Sequence, residues 1–306
     1  METPYSRYLI GTLPWYGALI VSGIILAYFL GTHEEKRRAL PKDTMLDVTL
    51  CAVPFGIIGA RLYYVAFTWE QFRRDPLSIL YIWQGGIAIY GAVIGGLIAV
   101  AVYARRKKLR LLSILDMVAP GLVLAQAIGR WGNYFNQEAF GPLISSPALQ
   151  WFPFGVLVGG RWYMATFFYE SLWNLAVFAL LWLCARRRQK VPGDVFAWYL
   201  LLYGAGRYWV EGLRSDSLML GSVRFSQLLS LALCLGVLGW FLWRIAQSKN
   251  RRATLCGALL WLAAALQFFG AWPPAVFLIG ACLLTASALA PTLPLRVDAA
   301  VLCAGD

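Results

Sequence analysis

The chain has 306 residues, 60% of them apolar and only 14% charged, with a mean hydropathy of +0.63. A soluble domain carries about 25% charged residues, so this composition excludes a water-soluble globule, a disordered chain and a disulfide-stapled secreted module. Twenty-seven Lys and Arg against fifteen Asp and Glu leave a net charge of +12. Interleaved with long apolar runs, that charge points to a membrane rather than to nucleic acid.

A helix needs roughly 20 apolar residues to cross a bilayer, and helices are the default because an open sheet leaves backbone groups unpaired in hydrocarbon. In chain order such stretches fall at about 13–31, 47–68, 83–103, 115–134, 165–185, 194–213 and 225–245. Two tighter ones follow at about 253–271 and 274–290, joined by Trp272-Pro273-Pro274. The expected architecture is an all-α integral membrane protein. About seven core transmembrane helices occupy residues 1–250, and a C-terminal two-helix hairpin and tail occupy 251–306. No chemistry is legible in that hairpin.

The basic residues set the orientation. Lys36, Arg37, Arg38 and Lys42 follow the first span, and Arg105, Arg106, Lys107, Lys108 and Arg110 follow the third. Arg186, Arg187, Arg188 and Lys190 follow the fifth, and Arg244, Lys249, Arg251 and Arg252 the seventh. These four connections hold 17 of the 27 basic residues. The positive-inside rule puts them in the cytoplasm and the N-terminus outside. The first apolar run ends in charge rather than in a small-residue cleavage site, so no cleavable signal peptide is expected. Trp15, Trp69, Trp83, Trp162 and Trp272 fall near span ends, where aromatic belts sit. The six cysteines form no CxxC and mostly lie in apolar runs, which argues for no metal site and no disulfide framework. The only histidine, His33, stands in a charged stretch, Thr-His-Glu-Glu-Lys, read as a solvated face.

The informative residues are charges inside apolar runs: Arg61, Arg130 and Arg207. An arginine at mid-bilayer costs roughly 2.5–3.5 kcal/mol on insertion scales, so carboxylates, a wet cavity or an anionic ligand must compensate. Glu170 and Glu211 are the evident internal partners. Tyr203, Arg207, Glu211 and Arg214 follow at spacings of four, four and three, and so share one helical face. Arg207 and Glu211 could simply neutralise each other there. Three arginines against few intramembrane acids nevertheless leave surplus positive charge, and guanidinium forks match phosphate. A phosphate-bearing lipid head group in the outer leaflet is the natural guest.

The third span, from Trp83 through Gly85-Gly86 and Gly91 to Gly95-Gly96, is dense in glycine. Small-residue helix packing explains it, and so does an irregular helix start that brings backbone to a ligand. Gly129-Arg130-Trp131-Gly132-Asn133-Tyr134-Phe135-Asn136-Gln137-Glu138-Ala139-Phe140-Gly141 places an arginine, two asparagines, a glutamine and a carboxylate at the outer end of the fourth span. A plain exit loop accounts for Asn and Gly but not for the arginine. A transporter or flippase for an anionic lipid or solute is the alternative, although no internal repeat is evident.

The last string resembles the signature of the prolipoprotein diacylglyceryl transferase family, roughly G-R-x-G-N-[FY]-x-N-x-E-x-x-G, met from Gly129 to Gly141. Trp15-Tyr16-Gly17, Gly59-Ala60-Arg61-Leu62-Tyr63-Tyr64, Gly85-Gly86, Phe168-Tyr169-Glu170 and Tyr203 to Glu211 complete a resemblance over residues 1–250. It implies a multi-pass enzyme of the bacterial cytoplasmic membrane, without cofactor, metal or nucleic-acid partner. That enzyme moves a diacylglyceryl group from phosphatidylglycerol to the lipobox cysteine thiol of preprolipoprotein signal peptides, leaving a thioether and glycerol phosphate. By the resemblance, Arg130 holds the head-group phosphate, with Arg207, paired to Glu211, as a second phosphate-facing group. Asn133, Asn136 and Glu138 shape the polar pocket, and Gly141 lets the loop pass closely. Tyr16 and Tyr203 donate hydroxyls, Glu170 is a counter-charge, and Arg61 joins the substrate-binding set.

The chain also departs from the family. Where much of the family has a histidine after the Gly-Gly segment, this sequence has Tyr90, followed by Gly91-Ala92. A His-Pro often found ahead of the Tyr-Glu pair is Met164-Ala165. A free thiol ionises near pH 8.5 and a phenol near pH 10, so Tyr90 is expected to orient thiol or lipid while arginines favour the thiolate.

Overall fold

The computed structural model of the protein describes residues 7–189, 191–214, 219–220 and 223–247. The hairpin expected over 253–271 and 274–290, and Cys256, Cys282 and Cys303, lie outside the described residues. Two strands, β1 (Tyr8–Ile10) and β2 (Leu13–Pro14), precede α1 (Trp15–Arg37) and α2 (Thr44–Phe67). One-turn α3 (Trp69–Phe72) leads through two 3-10 turns to α4 (Ile89–Arg106) and α5 (Leu111–Asn136). A hairpin of β3 (Gly155–Val158) and β4 (Arg161–Met164) then enters α6 (Thr166–Leu180). That helix runs on through a π-helical turn, Leu181–Ala185, into α7 (Arg186–Arg188). After it come α8 (Asp194–Leu213), the short pair β5 (Met219–Leu220) and β6 (Val223–Arg224), and α9 (Phe225–Gln247).

By length and composition six helical segments are able to cross a membrane: Trp15–Arg37, Thr44–Phe67, Ile89–Arg106, Leu111–Asn136, Thr166–Arg188 and Phe225–Arg244. The expected all-α membrane architecture is what the structure has. The remaining expected span, 194–213, is the 20-residue α8. Its Arg207 and Glu211, with several glycines and aromatics, keep it less apolar than the other six.

The described residues cluster into two compact units, one holding those up to Ala27 and from Ala119 onward, the other Tyr28–Val118. In the second unit α2 and α4 pack backbone to backbone. A Cβ on Gly91 would sit 2.2 Å from the Gly59 carbonyl oxygen, and one on Gly95 would sit 2.4 Å from that of Phe55. Small residues at this spacing let two helices approach in a membrane. The helix starts at Ile89 rather than near 83, because Gly85 and Gly86 take φ of +91° and +72°, outside any helix. Both readings of the glycine-rich segment, close packing and an irregular start, therefore have a place in the structure.

The charged stretch after the first span differs from expectation. It continues α1, and while His33 is exposed, Glu34, Glu35 and Arg38 are buried. Arg38 lies 3.2 Å from Glu34 and 3.6 Å from Asp116, and the Glu35 carboxylate accepts the Asp43 and Met45 N–H groups. Buried charge is tolerable only when paired, and here the pairing closes the α1–α2 turn.

In the first unit, Ala119 and Val123 of α5, Val177 and Leu181 of the α6 segment and Val195, Tyr199 and Leu202 of α8 form one core. The other face of α8 packs on α9 through Leu201, Ala205, Cys234 and Phe241. Cys51, Cys184 and Cys234 are free thiols.

Candidate active site

Three helices of the first unit meet at a four-membered ion-pair cluster. On α8, Tyr199, Tyr203, Arg207 and Glu211 recur every fourth residue and so line one stripe. Glu170 comes from α6 and Arg130 from α5. The Glu170 carboxylate lies 2.9 Å from Arg130 Nη2 and 3.1 Å from Arg207 Nη1, while Arg207 Nη2 is 2.6 Å from Glu211. Tyr203 stands one helical turn before Arg207 on α8, close enough to Arg130, Arg207 and Glu170 to feel their charges. Ser171, next to Glu170, donates to the Ala127 carbonyl at 2.8 Å and pins α6 against α5.

Burial within the cluster is graded. The side chains of Glu170 and Glu211 are 4% and 3% exposed, those of Arg130 and Arg207 22% and 17%. The carboxylates stand behind and the guanidinium groups in front, so the accessible face is cationic although the four charges sum to zero.

At the end of α5, Asn133 and Asn136 both donate through Nδ2 to Glu138 Oε1, at 3.1 and 3.2 Å, and the Glu138 N–H donates to the Asn133 carbonyl. Asn133 is buried, whereas Glu138 is exposed. The loop then turns through Ala139, whose carbonyl accepts the Thr166 hydroxyl at 2.7 Å. Gly141 sits where a Cβ would lie 2.9 Å from Met164 Cβ and Thr166 Cγ2, so only glycine lets this loop pass. The Tyr16 ring lies against Gly132, where a Cβ would meet it at 2.4 Å, and neighbouring Trp15 stacks on Phe135 with centroids 4.7 Å apart. Tyr16, Arg130, Asn133, Asn136, Glu138, Gly141, Glu170, Tyr203, Arg207 and Glu211 thus belong to one unit.

Arg61 and Tyr90 belong to the other. Arg61 was expected to add to a surplus of phosphate-facing charge, but its donors are committed to main chain. Nε donates to the Ile79 carbonyl, Nη1 to those of Gly85 and Gly86, and Nη2 to that of Ser78, all at 2.7–2.8 Å. The guanidinium also stacks 5.1 Å from the Phe72 ring centroid. A Cβ on Gly86 would come within 2.5 Å of Arg61 Nη1. In this geometry Arg61 clamps the non-helical approach to α4, and its charge is answered by carbonyl dipoles rather than by a carboxylate. Tyr90, at the start of α4, is half-buried with its ring 6.3 Å from that of Tyr63.

Two features escaped the sequence reading. Gln126 of α5 donates through Nε2 to the Tyr199 hydroxyl at 3.0 Å, one helical turn from Arg130 and Tyr203 respectively. The fourfold spacing was the available signal. Next to Arg130, Trp131 helps line an almost wholly apolar cavity of about 690 Å³. The aromatic residues that build it come from α1, α5, the following loop and the β3–β4 hairpin, so no single motif announces it. Among the described residues no group of three His, Cys, Asp or Glu is placed to hold a metal ion.

The sequence is similar to those of known proteins. A family model described as prolipoprotein diacylglyceryl transferase matches residues 8–243. The chain is 45% identical over 227 residues to the phosphatidylglycerol–prolipoprotein diacylglyceryl transferase of Limosilactobacillus reuteri, covering 72% of this chain and 82% of that protein. It is 44% identical over 247 residues to the enzyme of that name from Geobacillus kaustophilus, covering 78% and 90%. With the Clostridium novyi enzyme it shares 46% over 229 residues, covering 73% and 89%. The transporter alternative finds no support in these matches. With its multi-pass helical fold and a match across most of its length, the chain belongs to the prolipoprotein diacylglyceryl transferase family.

Proposed function

We infer that the protein transfers the diacylglyceryl group of phosphatidylglycerol to the lipobox cysteine thiol of preprolipoprotein signal peptides, in the bacterial cytoplasmic membrane. The observation that carries this reading is the graded cluster: two guanidinium groups accessible in front of two buried carboxylates. The positive-inside distribution supports placing that cluster toward the outer leaflet.

The chemistry explains why the cluster is built this way. The thiol loses its proton to water, and the thiolate attacks the glycerol carbon that bears the phosphoester oxygen. An S–C bond forms and the C–O bond breaks, its electron pair staying with the phosphate. The phosphate thereby passes from one negative charge to two as the bond breaks. Arg130 and Arg207 meet charge that develops in the transition state, which is where stabilisation accelerates a reaction. Glu170 and Glu211 hold both forks in place before substrate arrives, so little reorganisation is needed. Tyr203 and Tyr16 supply hydroxyl donors, and Asn133, Asn136 and Glu138 form the polar rim. Tyr90 orients thiol or lipid. Arg61 acts at one remove, by fixing the chain that leads into Tyr90.

Incubating the purified protein with phosphatidylglycerol and a lipobox peptide tests the reading. Thioether product and glycerol phosphate in equal amounts are expected, and solute flux into vesicles without product would overturn it. In the same assay Tyr90→Phe is expected to lower kcat by no more than about tenfold, the loss of one neutral hydrogen bond. Abolished turnover with lipid binding intact would make Tyr90 a proton-transfer group instead.

A further inference from the structure

We propose that the edge of β3 facing away from β4, unpaired among the described residues, docks the extended segment of the prolipoprotein substrate next to its acceptor cysteine, with apolar side chains of that segment seated in the aromatic cavity. The proposal rests on the activity inferred above and adds the place where the peptide is held.

The β3–β4 hairpin closes through Gly159 and Gly160, both at positive φ (+55° and +76°), between Val158 and Arg161. A two-residue turn of this kind makes Val158 and Arg161 a hydrogen-bonded pair. The antiparallel ladder then alternates, so Val156 and Tyr163 form the next such pair. Gly155 and Leu157 consequently turn their N–H and C=O groups away from β4.

The outer edge of β4 shows the same alternation, and there it is covered. The Trp162 carbonyl accepts the Ile144 N–H, the Met164 N–H donates to the Pro142 carbonyl, and the Met164 carbonyl accepts the Gly141 N–H. On β3 only the Gly155 N–H is used, donating to the Trp151 carbonyl at 2.9 Å. The Leu157 N–H and C=O and the Gly155 C=O have no protein partner among the described residues. Unpaired strand edges are templates for a further strand.

That edge lines the cavity. Gly155, Val156 and Leu157 form one wall, and Trp15, Trp131, Phe135, Trp151, Phe152 and Trp162 form much of the rest. The occupant suggested is a peptide rather than an acyl chain, because an acyl chain fills apolar space but leaves the three backbone groups unanswered. An added strand answers them and sends alternate side chains to one face, the strand-addition mode of peptide recognition. Charge agrees, since no ionisable side chain except phenol lines the cavity. Continuity agrees as well: Trp131 follows Arg130 in α5, and β4 runs through Ala165 into the helix that carries Glu170.

The decisive experiment uses the unmodified full-length protein in phosphatidylglycerol nanodiscs with lipobox peptides N-methylated at one amide at a time. Methylation at alternate amides is expected to raise the peptide KM about fivefold or more, the worth of a lost backbone hydrogen bond or two. Methylation at the amides between should leave KM unchanged, and kcat and the phosphatidylglycerol KM should hold throughout. Leu157→Pro removes the outward N–H at an edge position where proline is tolerated. It should raise the peptide KM similarly and by more than Leu157→Ala, which keeps the outward N–H and trims only the cavity wall. Normal turnover with no methylated position affecting KM would overturn the docking alone. A rise in the phosphatidylglycerol KM in Leu157→Pro would overturn it in favour of an acyl-chain pocket. No product from the unmodified protein and unmodified peptide would overturn the activity itself, and the docking with it.

Discussion

Arg130→Ala is expected to lower kcat/KM for thioether formation by about 10²–10³-fold, the usual loss when one preorganised donor to a developing anion is removed. The reason lies in what the variant keeps. Glu170 remains paired with Arg207 at 3.1 Å, so no buried carboxylate is orphaned and the fold should survive. What disappears is one of two accessible guanidinium groups at the place where phosphate gains its second charge. Arg130→Lys should recover only part of the loss. A lysine ammonium is a point charge and cannot hold Glu170 at 2.9 Å while offering a second planar donor to phosphate. Initial rates against phosphatidylglycerol concentration check this. Activity in Arg130→Ala within threefold of the unmodified protein would contradict it.

Glu170→Leu should act chiefly on stability. Glu170 pairs with both arginines, and its side chain is 4% exposed. Removing it leaves Arg130 and Arg207 facing each other across a buried gap, with Glu211 compensating only one. Breaking a buried ion pair by deleting one partner costs about 3–5 kcal/mol, so a large drop in thermal midpoint in detergent is expected. Two companion variants separate charge from packing. Glu170→Gln keeps hydrogen-bond acceptance and should be destabilised less. The double variant Glu170→Leu with Arg130→Leu removes a matched pair and should regain stability while staying inactive. A double variant no more stable than Glu170→Leu alone would show that packing, not charge balance, sets the effect.

Much of this arrangement was legible beforehand because it rests on local spacing. The fourfold recurrence of Tyr203, Arg207 and Glu211 placed them on one stripe of α8, and Glu170 was identifiable as a partner because intramembrane acids are few. Span positions followed from apolar run length, which physical chemistry ties to bilayer thickness. The sequence was silent where long-range contacts decide. Arg61 looks like Arg130 in sequence, yet it is satisfied by carbonyls 17 to 25 residues away, exposed by the positive-φ turn at Gly85 and Gly86. The stretch holding Glu34 and Glu35 read as solvated because Arg38, the partner of Glu34, is itself held by Asp116, 78 residues away in the chain. The aromatic cavity likewise draws on Trp15 and Trp162, which no local pattern connects.

A structure determined with phosphatidylglycerol bound bears most directly on the central idea. Both front guanidinium groups should then donate to oxygens of the lipid phosphate at about 2.7–2.9 Å, with Glu170 and Glu211 still seated behind them. A head group held elsewhere, with Arg130 and Arg207 still engaged only by those two carboxylates, would contradict the account.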